Sequence, residues 1–236
     1  MRSLRFLAFA LLATTAAWSL PKLPIVFQDE LASQNPSDVI GDPDFFDIDN
    51  LTLVGLNSNT LQVDIRFNFG GGAALTPFSI GSSFPTLSVG DLFFRTPTNT
   101  YAVILNGHDG LVTNGLYQIS STQAARDVLG NPAGSYRPDA QVWAAPGGAQ
   151  LLSTGSASIS TVNNVSTFLR ATLFIQLNNA IISDLDNGFS VYFAAATCGN
   201  DEITGNVPPT TGVPEPGTWA MLGAGLIATG LLRRSR

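Results

Sequence analysis

The chain has 236 residues, of which 44% are hydrophobic and only 12% are charged, with a formal net charge of −6. This composition suits one globular domain with short appendages and argues against a disordered chain, which would be poorer in apolar residues. The acidic balance supplies no basic surface for nucleic acid, and the single cysteine, Cys198, excludes an intrachain disulfide and cysteine-rich metal centres.

The first 19 residues are typical of a secretory signal peptide. Arg2 and Arg5 precede an apolar run, and small residues follow that run. Cleavage after Ala17 and cleavage after Ser19 both fit this pattern. We therefore predict that signal peptidase removes residues 1–19 and that the exported domain covers residues 20–204.

An acidic segment follows the signal peptide and is the best metal candidate in the sequence. Five aspartates fall within 12 residues, namely Asp38, Asp42, Asp44, Asp47 and Asp49. Calcium prefers closely spaced oxygen ligands on a bent loop, so Asp42, Asp44 and Asp47 are the predicted ligands of a calcium ion. The spacing does not match an EF-hand, and the alternative is a solvated acidic loop before the first long strand. No other cofactor is expected.

Between residues 20 and 204 the dominant period of the hydrophobic pattern is two. Residues 61–69, 169–177 and 189–195 carry an apolar side chain at every second position, as half-buried antiparallel strands do. About nine strands separated by Gly, Asn, Asp and Pro turns predict an all-β, antiparallel β-sandwich, with a jelly-roll or an immunoglobulin-like order. A shared core is predicted for Ile65, Phe67, Leu173, Ile175, Val191 and Phe193. One internal helix is predicted over residues 122–129.

Residues that could support catalysis are few. His108 is the sole histidine, so any Ser–His–Asp arrangement would have to use it. The neighbouring Asp109 is poorly placed to orient the ring, and residues 106–110 are predicted to form a turn after a strand. No G-x-S-x-G motif and no marked pair of carboxylates occurs. We therefore predict no catalytic residues and no enzymatic activity.

Several other polar or reactive residues have simple structural interpretations. Cys198 is predicted to be a small buried residue, with an intermolecular disulfide as the alternative. Residues 184–188 and 198–202 are rich in Asp, Asn and Gly and are predicted to be turns. Four aromatic residues are candidates for a sugar-stacking surface, namely Tyr101, Tyr117, Tyr136 and Trp143.

The C-terminal region reads as a linker, residues 205–213, followed by a membrane-directed segment, residues 214–236. Pro214, Glu215 and Pro216 precede 15 uncharged residues, and Arg233, Arg234 and Arg236 close the chain. As a helix the uncharged segment would be about 22 Å long, short of the ~30 Å core of a bilayer, although Trp219 and the arginines can extend its reach.

This C-terminal segment resembles the PEP-CTERM sorting signal of Gram-negative bacteria, which is read by the membrane proteases called exosortases. The resemblance implies a transmembrane helix in the inner membrane with its arginines in the cytoplasm. It also implies processing near residues 214–216 and transfer to the cell surface or release. Six stretches of the body are similar to exported PEP-CTERM β proteins of unknown function: residues 37–49, 90–94, 101–110, 115–119, 137–143 and 196–205.

The leading hypothesis is an exported, exosortase-processed protein with a structural or adhesive role at the cell surface or in an extracellular polysaccharide matrix. The alternatives are a carbohydrate-binding module, which needs an exposed aromatic row, and a hydrolase, which needs His108 beside a carboxylate and a hydroxyl. Processing at both ends leaves six basic residues against 17 acidic ones if Glu215 is kept, a net charge of −11. Such a surface repels acidic polysaccharide unless divalent cations bridge the two.

Overall fold

In the computed structural model of the chain, the described residues are 24–29, 35, 37–57, 59–69, 75, 77–80, 84–130, 132–161 and 168–210. The predicted signal peptide and the predicted C-terminal helix lie outside these residues. The strands are β1 (Ile25–Gln28), β2 (Ile48–Asn57), β3 (Thr60–Asn68), β4 (Phe78–Ile80), β5 (Phe84–Leu87), β6 (Leu92–Arg95), β7 (Thr100–Val103), β8 (Gly115–Ile119), β9 (Thr122–Ala124), β10 (Gln141–Ala144), β11 (Gln150–Thr154), β12 (Ser156–Thr161), β13 (Phe168–Gln176), β14 (Phe189–Ala194) and β15 (Glu202–Val207). The helices are α1 (Pro43–Phe46), α2 (Ala125–Leu129) and α3 (Asn179–Leu185).

The strands form two main sheets and two small ones, and every pair is antiparallel. One main sheet has the order β1-β2-β3-β13-β12, and the other has the order β11-β8-β7-β6-β14-β15. The small sheets are β9-β10 and β4-β5. The all-β prediction is therefore confirmed. The described residues hold more strands than the nine predicted, because strands of three to five residues are too short to show alternation.

Three β-hairpins are joined edge to edge in the two main sheets. The β2-β3 and β12-β13 hairpins meet through β3 and β13, and the β14-β15 hairpin joins β6 through β14. Apart from the edge strands β1 and β11, the strand order is that of the ABED and GFC sheets of immunoglobulin-like sandwiches, with β7 and β8 in the positions of added C′ and C″ strands.

The two main sheets share one hydrophobic core. The rings of Phe67 on β3 and Phe193 on β14 meet edge to face, with centroids 5.1 Å apart. All six residues predicted as shared core belong to this cluster. At one edge β1 lies so close to β15 that a Cβ atom at Gly205 would approach the Phe27 ring to 2.2 Å, so this position needs glycine.

A second, smaller core covers the outer face of the β6-containing sheet. Phe93, Ile104 and Tyr192 pack there against Val142 and Ala144 of β10. Because this sheet is covered on both faces, β6 and β7 are buried at nearly every position instead of alternating. Residues 122–145 thus form a covering layer that period-two analysis does not reveal.

The helices differ from the sequence prediction. The predicted helix over residues 122–129 divides into β9 and α2, because Thr122 and Ala124 pair with β10. The turn predicted at residues 184–188 is present in its later part: α3 runs to Leu185, residues 186–187 form a turn, and Gly188 has a positive φ. α3 itself was not predicted, and it begins at the N-cap Asn178, whose side chain accepts a hydrogen bond from the Ile181 amide. Its seven residues are too few for a helical period to be visible.

The folded domain also extends beyond the predicted boundary at residue 204. β15 runs to Val207, which pairs with Phe189, and the Thr210 amide donates to the Asp186 carbonyl at 2.9 Å. Residues 205–210 are therefore part of the fold, whereas the sequence places them in a linker. The Thr, Gly and Pro composition of this segment conceals the alternating burial of Gly205 and Val207.

Candidate functional site

Three carboxylates from distant parts of the chain meet at one place. Asp29 follows β1, Asp38 precedes α1, and Asp201 precedes β15. Each offers a carboxylate oxygen, and the three oxygens all lie within 4.8 Å of one another. We call these three residues the carboxylate cluster.

Backbone hydrogen bonds explain how the carboxylate cluster is assembled. The Asp29 amide donates to the Asp49 carbonyl at 3.0 Å, which continues the β1-β2 ladder. The Ile40 amide donates to the Asn200 carbonyl at 2.9 Å, and the Ala195 amide donates to the Asp201 carbonyl at 3.0 Å. The loop before α1 is thereby fastened to the turn between β14 and β15.

Asp201 is the buried member of the carboxylate cluster. Its Oδ2 accepts a hydrogen bond from the Ile48 amide at 2.6 Å, and its Oδ1 accepts one from the Glu202 amide at 2.8 Å. Burial raises the pKa of Asp201 to about 8, and the negative charges of Asp29 and Asp38 act in the same direction. The two amide hydrogen bonds oppose this shift but do not cancel it.

Arg137 is the cation next to the carboxylate cluster. Its Nη1 lies 3.9 Å from Oδ1 of Asp201, and its Nη2 donates to the Asp38 carbonyl. The Arg137 amide donates to the Cys198 carbonyl at 3.1 Å, so the backbone at this arginine is fixed as well.

The donor set of the carboxylate cluster suits a hard divalent cation. Calcium and magnesium take oxygen ligands, and carboxylates are the preferred ones. The adjacent Asn200 is buried, and within the described residues its amide oxygen accepts no hydrogen bond. The sequence analysis noted Asp38 and Asp201 in separate segments but did not join them, and it did not identify Asp29.

The structure places the three predicted calcium ligands in other roles. Asp42 is the N-cap of α1 and accepts a hydrogen bond from the Asp44 amide at 3.0 Å. Asp44 is exposed in the first turn of that helix, and Asp47 is buried at its end. None of the three belongs to the carboxylate cluster.

His108 is held by a carboxylate that the sequence analysis did not single out. Its Nε2 lies 2.9 Å from Oδ2 of the fully buried Asp91, and its Nδ1 lies 3.5 Å from Oδ2 of Asp109. The ring stacks on Trp143 with centroids 4.1 Å apart. The Ala144 amide also donates to Asp91, so this group ties the start of β6 to β10.

The surroundings of His108 bear on the hydrolase hypothesis. Burial raises the pKa of Asp91, while the hydrogen bond and charge of His108 oppose that shift. Within the described residues, the polar partners of the ring are the carboxylates of Asp91 and Asp109. The carboxylate that the hydrolase hypothesis requires beside His108 is therefore present. The predicted turn is confirmed, with positive φ at Asp109 and Gly110.

The four aromatic candidates for sugar stacking do not form an exposed row. Tyr101 and Tyr117 are each 5% exposed, and Tyr136 and Trp143 are half-buried. The indole N–H of Trp143 donates to the Val89 carbonyl at 3.3 Å. Cys198 is buried as predicted, and burial raises the pKa of its thiol to about 12, which keeps it protonated at neutral pH.

Comparison with known proteins identifies the C-terminal segment. Residues 212–236 match the family model of the PEP-CTERM protein-sorting motif. No curated protein and no solved structure matches the chain. Among the described residues, no helix has the length and apolar character needed to cross a membrane.

The matched segment contains all the residues predicted to form the sorting signal, namely Pro214, Glu215, Pro216, Arg233, Arg234 and Arg236. They lie outside the described residues. The match supports targeting by an exosortase and export through the membrane. By this motif the chain is a PEP-CTERM protein, with a β-rich body followed by a C-terminal sorting signal.

Proposed function

We propose that this protein is an exosortase substrate whose β domain acts structurally or adhesively at the cell surface or in an extracellular matrix. The observation that carries the proposal is the sorting motif at residues 212–236. Signal peptidase would remove residues 1–19 during export. The apolar part of the sorting motif would then hold the chain in the inner membrane until an exosortase cleaves it.

The arrangement of the domain supports this role. The last hydrogen bonds that hold the described fold together involve Thr210, just before the motif. An exosortase could therefore remove the sorting segment without disturbing the packed strands. A domain that stays folded after processing is suited to a long-lived place outside the cell.

The experiment replaces Pro214, Glu215 and Pro216 with alanine and follows processing in fractionated cells by mass spectrometry. We expect the variant to accumulate as precursor in the inner membrane, because its apolar length is unchanged while the processing signal is lost. Pro208→Ala is the matched control, since this exposed proline lies before the motif and its replacement should leave processing intact. Wild-type protein at the cell surface with Arg236 still attached would contradict the proposal.

A structural or adhesive role outside the cell requires a ligand for the β domain. An aromatic sugar-binding face is not supported, because the four candidate rings are buried or half-buried. The absence of enzymatic activity stays a prediction. Extracellular polysaccharide is the partner that a structural or adhesive role would require.

A further inference from the structure

A polar groove lies between the β6-containing sheet and α3. Its cavity volume is about 390 Å³, which is within the range of small-molecule sites. Asn99, Tyr101 and Gln118 form its sheet wall, while Ser183 and Asn187 belong to the wall formed by α3 and its C-terminal turn. We call this the amide groove because four of its ten lining residues are Asn or Gln.

Among the described residues that line the amide groove, Asp184 is the one that carries a charge, and that charge is already satisfied by hydrogen bonds. Its carboxylate accepts hydrogen bonds of 2.7–3.0 Å from the side chains of Thr96, Thr98, Asn99 and Tyr101. Burial raises the pKa of Asp184, but these four donors lower it further than burial raises it, so the group is ionised at neutral pH. An acceptor surrounded in this way has little left to offer a metal ion.

The hydrogen bonds of Asp184 fix the groups around it. The Gln118 amide donates to Oδ1 of Asn99 at 2.7 Å, so the network extends from α3 to β8. The Asn187 amide donates to the Ser183 carbonyl at 3.0 Å and is fixed on the opposite wall. Polar groups that are ordered before binding cost less entropy when a ligand arrives.

The side-chain amide groups of the groove that are not fully used within the protein suit a hydroxyl-rich ligand. Within the described residues, the side-chain carbonyls of Gln118 and Asn187 accept no hydrogen bond, and both residues line the amide groove. An amide offers a donor and an acceptor, and a sugar hydroxyl needs both. Leu152 and Ile181 add apolar surface for the C–H face of a sugar ring.

We propose that the amide groove binds a neutral oligosaccharide. The ionised Asp184 and the net charge of −11 on the processed body disfavour acidic sugars, and the described lining of the groove contains no Lys or Arg to pair with them. The inference deepens the adhesive role proposed above and rests on it. It places sugar binding at amide side chains rather than on an aromatic row.

The test titrates the full chain, held in a detergent without a sugar headgroup, with short neutral glucose, mannose and galactose oligosaccharides. Saturation-transfer NMR should detect binding to at least one of them. Gln118→Ala and Asn187→Ala should each weaken that binding roughly tenfold, since each removes a hydrogen-bonding group from the wall of the groove. Asn206→Ala and Gln28→Ala, at exposed positions on β15 and β1, are controls and should leave the affinity unchanged.

Three results would overturn the inference. They are no binding of any neutral oligosaccharide, binding that survives both groove variants, and uronic acid oligosaccharides bound as tightly as neutral ones. None of these results depends on where cells place the protein. Surface-located protein that binds no sugar contradicts this inference alone, whereas precursor that is never processed contradicts the proposed function.

Discussion

At the level of single residues, Asp201 determines how the domain should respond to pH. The pKa of this carboxyl is raised from 3.8 to about 8 in the folded state by burial, with a smaller contribution from Asp29 and Asp38. The folded state therefore holds a proton that the unfolded chain releases. Ionisation of Asp201 disfavours folding, and this cost is absent below about pH 4 and complete above about pH 8.

We predict that the melting temperature falls as the pH rises from 5 to 8, and that Asp201→Asn makes this dependence shallower. The dependence should not vanish, because burial also raises the pKa values of Asp91 and Asp186. Asp127→Asn, at an exposed position on α2, is the matched control and should keep the wild-type slope. Thermal scans of the three proteins at fixed ionic strength make the comparison. A slope unchanged by Asp201→Asn would be evidence against the raised pKa.

Two phenylalanines on the same pair of strands should differ greatly in their contribution to stability. Phe67 on β3 is fully buried, whereas Phe174 on β13 is 37% exposed on the outer face. Phe67→Ala should lower the free energy of unfolding by about 3–5 kcal/mol, because it leaves a cavity against Phe193. Phe174→Ala should cost roughly 0.5 kcal/mol or less, as surface substitutions do. Urea unfolding measures both, and similar losses would contradict the face assignment.

At the level of strands and helices, the long elements could be predicted from the hydrophobic pattern of the sequence more completely than the short ones. β3 and β13 have nine residues each, and every second residue from Leu61 to Phe67 and from Leu169 to Ile175 is apolar, so their inward faces could be read from the sequence. β6 and β7 have four residues each and are covered on both faces, so their pattern carries no period. α3 has seven residues and is identified by its N-cap and its tertiary contacts, which become visible only in the fold.

The carboxylate cluster could not be predicted from the sequence, because its residues are far apart in the chain. Asp38 and Asp201 stand in segments that the sequence analysis had noted, but 153 residues separate Asp201 from its hydrogen-bond partner Ile48. These segments meet only in the fold, where the Ile40 amide donates to the Asn200 carbonyl and the Ile48 amide donates to Asp201 across the two sheets. The local density of aspartates pointed instead to Asp42 and Asp44, which the fold uses to begin a short helix.

Calcium binding stays a prediction, and the fold allows two locations to be compared. If calcium binds only the folded state, millimolar calcium should raise the melting temperature by mass action, and magnesium should raise it less. The double variant Asp42→Asn, Asp44→Asn should remove the effect if the loop binds the ion, whereas Asp38→Asn should remove it if the carboxylate cluster does. Identical melting curves with calcium and with chelator, at matched ionic strength, would exclude both locations.

At the level of the whole molecule, the described elements close their cores without the two ends of the chain. Every strand and helix of the described residues lies between Ile25 and Val207, and β15 is paired with β14 along its full length. Both hydrophobic clusters are formed within this range. The predicted signal peptide and the sorting motif lie outside these described elements, so we expect the strands to retain their packing partners when both segments are removed.

We predict that a fragment of residues 20–212 unfolds cooperatively, with the same urea midpoint as the full chain. A fragment of residues 20–204 should be less stable, because it lacks the half of β15 that pairs with Phe189, Ser190 and Val191. It also loses Val207, which is 3% exposed, and the Thr210 hydrogen bond to Asp186. Urea unfolding followed by tryptophan fluorescence compares the two fragments. Equal urea midpoints for the two fragments would show that residues 205–212 add no stability and that the domain ends at residue 204. Non-cooperative unfolding of the 20–212 fragment would show that the ends of the chain contribute to the core.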